Sequence, residues 1–375
     1  MSEIKVNSIK GVGASAAAIT VNNTDGTCSA KLTDNGGLQF ANRNKIINGE
    51  FRVNQRNHSG SASHNSYTLD RWKYARSANT EFSTSQSTDT PDGFANSVKL
   101  DCIGANGSTG AGDYAYFRYH IEGQDLQELN KGTSAAKVAT LSFYVKCDIT
   151  GTFAINVLDQ NNRMCNLTYT VSDTNWNRYI LTIPADTSGA IANTNVTGLS
   201  VHFYIIAGSN ITSGGSLNSW GTYNSGYLAQ GHTANIVSTD HNWYMTGVQL
   251  EISDYATPFE HRSFAVEERL CQRYYYQNTT VIAGIFICDA ADQDSAYGRG
   301  SFPVTMRATP TVILGDNAGN NDGKVTQHGV AHNVAATAGD MDNTGFTKLA
   351  KSSGNWDTGS AKPIAAKIAS ANAEL

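Results

Sequence analysis

Apolar and polar residues alternate through most of the chain between residues 81 and 254, with the period of two that a pleated strand imposes. Val98, Leu100 and Cys102 sit against Ser97, Lys99 and Asp101. Ala115, Phe117, Tyr119 and Ile121 sit against Tyr114, Tyr116, Arg118 and His120. Leu141, Phe143, Val145 and Cys147 oppose Ser142, Tyr144 and Lys146, and Phe153, Ile155 and Val157 oppose Ala154 and Asn156. Tyr179, Leu181 and Ile183 oppose Arg178 and Thr182, and Leu199, Val201, Phe203 and Ile205 oppose Ser200, His202 and Tyr204. A last strand puts Tyr244, Thr246, Val248, Leu250 and Ile252 on one side and Trp243, Met245, Gly247, Gln249 and Glu251 on the other. Seven or eight half-buried strands with no long helix between them predict an antiparallel sandwich or barrel, and a jelly roll is the expected form. Residues 122–129 read as one helical turn, in which capping accounts for Glu122 and Asp125.

The period changes after Pro258, which cannot extend a central strand. Ser263 is a plausible N-cap, and Val266, Leu270 and Tyr274 then share one face of a short helix. Glu267 and Glu268 read as its solvated face or as partners for Arg269 and Arg273. The expected organisation is therefore an N-terminal segment at 1–45, a β-sandwich at 46–262, a linker helix at 263–276 and a smaller C-terminal β-domain at 277–375. The first segment buries too little to fold alone, so it is expected either to be disordered or to be ordered by pairing with other chains or a docking partner. In the sandwich, Asn48 and Gly49 form a turn, Phe51 and Val53 anchor one face, Trp72 is a core candidate, and residues 58–66 form an exposed polar loop. In the last domain, Pro303 and Pro310 mark edges or strand starts, and the Ala-rich run 364–375 reads as a strand or a short helix. That domain has few large apolar residues, and association would enlarge its core.

Composition sharpens this picture. Only 16% of the 375 residues are charged, against about 25% in an ordinary globular chain. With 35 glycines and abundant Asn, Thr and Ser, amides and hydroxyls wet the surface in place of charges. The net charge of −5 and the lack of a basic run disfavour nucleic acid. No apolar run approaches the ~20 residues of a membrane span, and the first residues lack a secretory signal, so synthesis in the cytosol without membrane insertion is expected. The six cysteines (28, 102, 147, 165, 271 and 288) show no CxxC spacing and read as small buried hydrophobes.

Candidate chemistry is sparse. Glycan hydrolysis needs two acids facing each other across a groove; the acids worth placing are Glu122 with Asp125, Asp240, Glu251, and Glu267 with Glu268. No G-x-S-x-G elbow or HExxH motif is present. His202 reads as a surface or cleft residue, and Asp240 with His241 as a turn. No cofactor is expected, although the Asp- and Asn-rich run 316–322 and the pair Asp340 and Asp342 offer oxygens to a structural Ca²⁺. Saccharides are held by flat aromatic rings with a few amide or charged partners. The face Tyr114, Tyr116, Arg118 and the loop holding Trp220 and Tyr223 have that composition. Their alternative use is packing in a second layer or at a subunit interface.

Three runs, VQLE at 248–251, ATPFEHRS at 256–263 and EERLCQRYYY at 267–276, resemble a segment of tail-fibre-type structural proteins of tailed bacteriophages. The runs IINGEF at 46–51, VNQR at 53–56, YTLDRW at 67–72 and FPVTMRATPTVIL at 302–314 are similar to other phrases of that family, and SEIKVN at 2–7 resembles the starts of marine phage virion proteins. Residues 176–178 and 198–203 are similar, more loosely, to carbohydrate-binding-module-like sandwiches. The resemblance implies a non-enzymatic virion protein of the phage tail, assembled in the host cytoplasm. It also implies a homotrimer, attachment to other virion proteins through 1–45, and a host-surface glycan as partner. The other readings are a virion-bound glycan hydrolase or esterase, and a connector that touches only virion proteins.

Overall fold

In the computed structural model of this chain, residues 8–9, 19–21, 28–30, 42–77, 81–104, 108–278, 285–290, 295–315, 322–327, 333–351 and 364–375 are described. Near the N-terminus, β1 (Ser8–Ile9), β2 (Ile19–Val21) and β3 (Cys28–Ala30) pair antiparallel. The next strands are β4 (Ser59–Ser61), β5 (Ser66–Tyr67), β6 (Trp72–Arg76), β7 (Glu81–Ser87), β8 (Ser97–Gly104) and β9 (Tyr114–Glu122). The expected helical turn follows as a 3-10 helix, Gly123–Leu129. Then come β10 (Ala139–Cys147), β11 (Gly151–Asp159), β12 (Arg163–Val171), β13 (Asn177–Ile183), β14 (Thr197–Ala207), β15 (Trp220–Thr222) and β16 (Asn242–Glu251).

These strands build two antiparallel sheets, in the orders β13-β10-β16-β8-β7-β4 and β15-β12-β11-β14-β9-β6-β5. The central strands β8-β16-β10-β13 and β9-β14-β11-β12 have the order of a jelly roll: the first strand lies beside the last, and the chain crosses repeatedly between sheets. The fold is thus mainly β, as the alternation predicts. Its core lies between the sheets and includes Phe82, Leu100, Phe143 and Trp243 from one sheet and Trp72, Phe117, Ile155 and Phe203 from the other. Trp72 is fully buried, stacked on Phe117 with centroids 5.2 Å apart and touching Phe51 at 5.0 Å. The Asn48–Gly49 turn fits tightly, since a Cβ on Gly49 would meet the Val248 carbonyl oxygen at 2.2 Å.

The closing strand departs from simple alternation. Trp243 and Met245 face the core, but so do Val248 and Leu250. The phase switches at Gly247, which has φ +62°, and the pairing of β16 with β10 shifts register there. A bulge inserts one residue and turns the strand over.

After the sandwich come α1 (Phe264–Gln272), β17 (Tyr275–Gln277), β18 (Ile285–Ala290), β19 (Ser295–Ser301), β20 (Thr311–Gly315), β21 (Lys324–Gln327), β22 (Asn333–Met341), β23 (Gly345–Lys351) and β24 (Ile364–Asn372). The Ala-rich terminus is a strand because β24 pairs with β17, β18, β20 and β21; backbone pairing outweighs the helix propensity of alanine. Its Ala366, Ile368 and Ala371 join a separate core with Phe346 and Leu349.

Two acids read earlier as local features instead tie this sheet to the sandwich or brace the helix. Glu122 is fully buried and does not cap the turn; it accepts hydrogen bonds from Arg273 and the Tyr274 hydroxyl. Glu267 is not solvated: it is 4% exposed, pairs with Arg262 and accepts from the Asn48 backbone N–H. The buried face of α1 is Glu267 and Cys271, with Tyr274 beyond its end, whereas Val266 points outward. Ser263 sits at the N-cap without a side-chain bond; its carbonyl takes the N–H groups of Val266 and Glu267.

Candidate functional site

The outer face of the seven-stranded sheet carries the residues that the sandwich core does not use. Tyr114, Tyr116 and Arg118 of β9 point there. In register, Tyr204 lies across from Tyr116, while His202 and Lys73 flank Arg118 on its two sides. A water-exposed sheet face would leave this layer open. Here the segment after β14 folds back over one end of it: Ala229 N–H donates to Ile211 O at 2.9 Å, and Thr233 N–H donates to Thr152 O at 2.8 Å. His232 accepts from the Ala154 N–H at 3.1 Å. Ala154, Tyr204, Ala207 and Ala229 form a small second core beneath the flap. A cleft of about 510 Å³ remains between flap and sheet.

Its wall is an aromatic ladder. Tyr116 is flanked by Tyr114, at 5.7 Å with an interplanar angle of 21°, and by His202, at 4.9 Å and 7°. Tyr204 leans on Tyr116 at 5.1 Å from below and is itself buried. Tyr223, 43% exposed, also lines the cleft, as do Asn210, Ile211 and Leu228. The Arg118 guanidinium lies 5.8 Å from the Tyr116 ring centroid and donates to Asn65 Oδ1. Burial, reinforced by Arg118, holds His202 down to about 3, so its ring is neutral; its Nε2 lies 3.1 Å from Ser200 Oγ. Burial likewise raises the Tyr116 hydroxyl, which stays protonated. Among the described residues no Asp or Glu lines the cleft.

Of the residues singled out from sequence, Tyr114, Tyr116, Arg118 and Tyr223 therefore meet in one cleft. Trp220 does not join them. It lines a neighbouring cleft of about 210 Å³ with Met164, Asn166 and Tyr227. Its indole N–H donates to Pro184 O at 2.8 Å, and Lys131 Nζ sits 4.4 Å from its ring. That ammonium fills a cage of four oxygens: Asp159 Oδ2 at 2.5 Å, Asp186 Oδ2 at 2.9 Å, Ser188 O at 3.0 Å and Gly189 O at 3.1 Å. Sequence reasoning placed Tyr204 on the right face but missed Asn210, Ile211 and Leu228, which reach the cleft through a flap that no periodicity marks.

The acids weighed for hydrolysis are scattered. Asp125 and Asp240 are exposed, while buried Glu251 is hydrogen-bonded by Thr257 and Gln249. Among the described residues no group of three His, Cys, Asp or Glu is placed to hold a metal. Residues 316–321 of the proposed Ca²⁺ run lie outside the described residues; Asp342 accepts from Thr344 and Gly345 within its turn. Cys102, Cys147, Cys165 and Cys271 are buried and unpaired, as small core side chains. No helix of the described residues is long and apolar enough to cross a membrane.

No protein-family model and no curated protein matches the chain. Among solved structures, the enzymatically active domain of tailspike protein 4 from bacteriophage CBA120 is similar at 13% identity and a TM-score of 0.31, over 56% of this chain and 22% of that one. A family 11 carbohydrate-binding module from Clostridium thermocellum, solved with a β-1,3-1,4-mixed-linked tetrasaccharide, matches at 11% identity and 0.28, over 54% of this chain and 99% of that one. A C-terminal family 22 module of Clostridium thermocellum Xyn10B matches at 12% and 0.31, over 58% and 99%. At such TM-scores the likeness carries no argument about ligand or activity.

Proposed function

We propose that this chain is a structural protein of a tailed-phage virion, a tail fibre or similar appendage, whose outer-face cleft holds a host-surface glycan without cleaving it. The observation that carries the binding half is the cleft itself: four tyrosines, an arginine and an asparagine line it, and among the described residues no carboxylate does. That is the apolar-wall, few-polar-groups pattern of a ligand site, and it lacks the opposed acids of a glycosidase. The virion half is supported by the resemblance of residues 46–72, 248–276 and 302–314 to tail-fibre-type proteins. In this reading, residues 1–45 attach to other virion proteins and the particle carries homotrimers. Linked sites could raise avidity by roughly 10²–10⁴ over a single contact.

The test is incubation of purified protein with cells of the host. Cell binding with no oligosaccharide released supports the proposal. Released sugar would make the protein a hydrolase, and no binding at all would leave a connector of virion parts. A light-scattering mass equal to one chain would remove the trimer.

A further inference from the structure

We infer that the saccharide taken by this cleft is acidic, with its anionic group, a uronate carboxylate or a phosphate ester, received by Arg118; the inference rests on the glycan reading above. Arg118 and Lys73, its register partner on β6, put two cationic side chains side by side on the outer face, and the neutral His202 ring lies on the other side of Arg118. Eight other arginines are ion-paired to a carboxylate. Among the described residues Arg118 has no such partner. Its hydrogen bond is to the neutral Asn65 amide, and its Nε is shut away from solvent without an acceptor.

Among the described residues no carboxylate is ion-paired to either side chain. Lys73 is held below its usual range by burial and by Arg118, and its ammonium lies over the Tyr67 ring. The carboxylate of Glu374, which acts on Lys73 from a distance, is committed to Arg71 and Arg56. A chain with a net charge of −5 thus keeps a patch of unanswered positive charge at the foot of an aromatic wall. A neutral sugar makes no use of that charge. A carboxylate or phosphate set beside the ring stack gains a charge-assisted bond from a planar guanidinium whose fork it matches.

The experiment uses the full chain on an array of bacterial surface oligosaccharides with neutral, uronate-bearing and phosphorylated members. The bound members are expected to be acidic. Reducing the uronate to its alcohol, or removing the phosphate, should weaken binding roughly tenfold or more, and which treatment acts identifies the group. Arg118→Gln should lower acidic ligands to the level of their neutral derivatives and leave those derivatives unchanged, while Arg118→Lys keeps part of the preference. Equal binding of acidic and neutral analogues overturns the inference, as does an equal loss for both in Arg118→Gln. An array on which the wild type binds nothing sinks the glycan reading itself and takes this inference with it.

Discussion

Glu374→Gln should destabilise the protein strongly, although the residue lies next to the end of the chain. The Glu374 carboxylate is 2.5 Å from Arg71 Nη1 and 3.2 Å from Arg56 Nη2. Arg71 and Glu374 are only 1% and 3% exposed, so solvent screens neither. The Arg71 guanidinium also donates to the His120 carbonyl at 2.7 Å and lies over the Tyr274 and Tyr119 rings, whose centroids are 3.3 Å and 5.1 Å away. Removing one member of a buried ion pair costs about 3–5 kcal/mol, because the other charge stays behind without water. Glutamine keeps one acceptor, so the expected loss is about 2–4 kcal/mol. Replacing both members, Arg71→Met with Glu374→Leu, removes the stranded charge and should recover most of the loss. Urea denaturation followed by far-UV circular dichroism measures all three proteins. A loss below about 0.5 kcal/mol for Glu374→Gln, or a double variant worse than the single, would refute the reasoning.

Three further outcomes follow from other parts of the molecule. Lys131→Met leaves buried Asp159 without its cation, while Asp186 keeps Arg163, and should cost about 2–4 kcal/mol by the same urea measurement; an unchanged midpoint would mean the cage is not held by the ammonium. Gly247→Ala places a Cβ 2.7 Å from Phe94 Cζ at a φ of +62° and should cost about 1–3 kcal/mol, whereas a neutral result would mean the bulge can relax. Burial depresses His120 to about 2, His202 to about 3 and His232 to about 4. The unfolded chain therefore takes up these protons first. The stability these groups contribute is complete above about pH 6.5 and is lost as pH falls toward the folded values, at up to roughly 1.4 kcal/mol per pH unit for each. Asp70 and Glu267, raised by burial, act in the opposite sense above their ordinary values of 3.8 and 4.5. The urea midpoint should fall between pH 7 and 5.5, less so in His202→Gln; a flat profile contradicts the burial of the rings.

Where one face of a strand meets the core and the other meets water, the sequence is easily read. Residues 97–104 and 114–122 are of this kind, and β8 and β9 fall where the alternation puts them; β10 does so as well, because its second phase is polar in type although Thr140 and Ser142 are buried. Strand β12 carries the same alternation, with Cys165, Leu167, Tyr169 and Val171 toward the core and Asn166, Thr168 and Thr170 on the other phase, so it is legible in the same way although the strands read from the pattern do not include it. In β16 the alternation is visible but its phase is not, since one glycine turns the strand over midway. The helix misleads for a different reason. Its charged Glu267 is buried because Arg262 and the Asn48 N–H, distant in sequence, meet its carboxylate. For the cleft, alternation along β9 was enough to bring Tyr114, Tyr116 and Arg118 together, and loop composition found Tyr223. Trp220 shares that composition, yet its position at the sheet edge and its bond to Pro184 take it elsewhere.

The most direct test of a saccharide site on the outer sheet face is a crystal structure with a bound oligosaccharide from the host surface. Sugar rings are expected against the Tyr114–Tyr116 ladder and Tyr223, with an anionic group at Arg118. A sugar seated at Trp220 or on the C-terminal sheet, with that cleft empty, would contradict it.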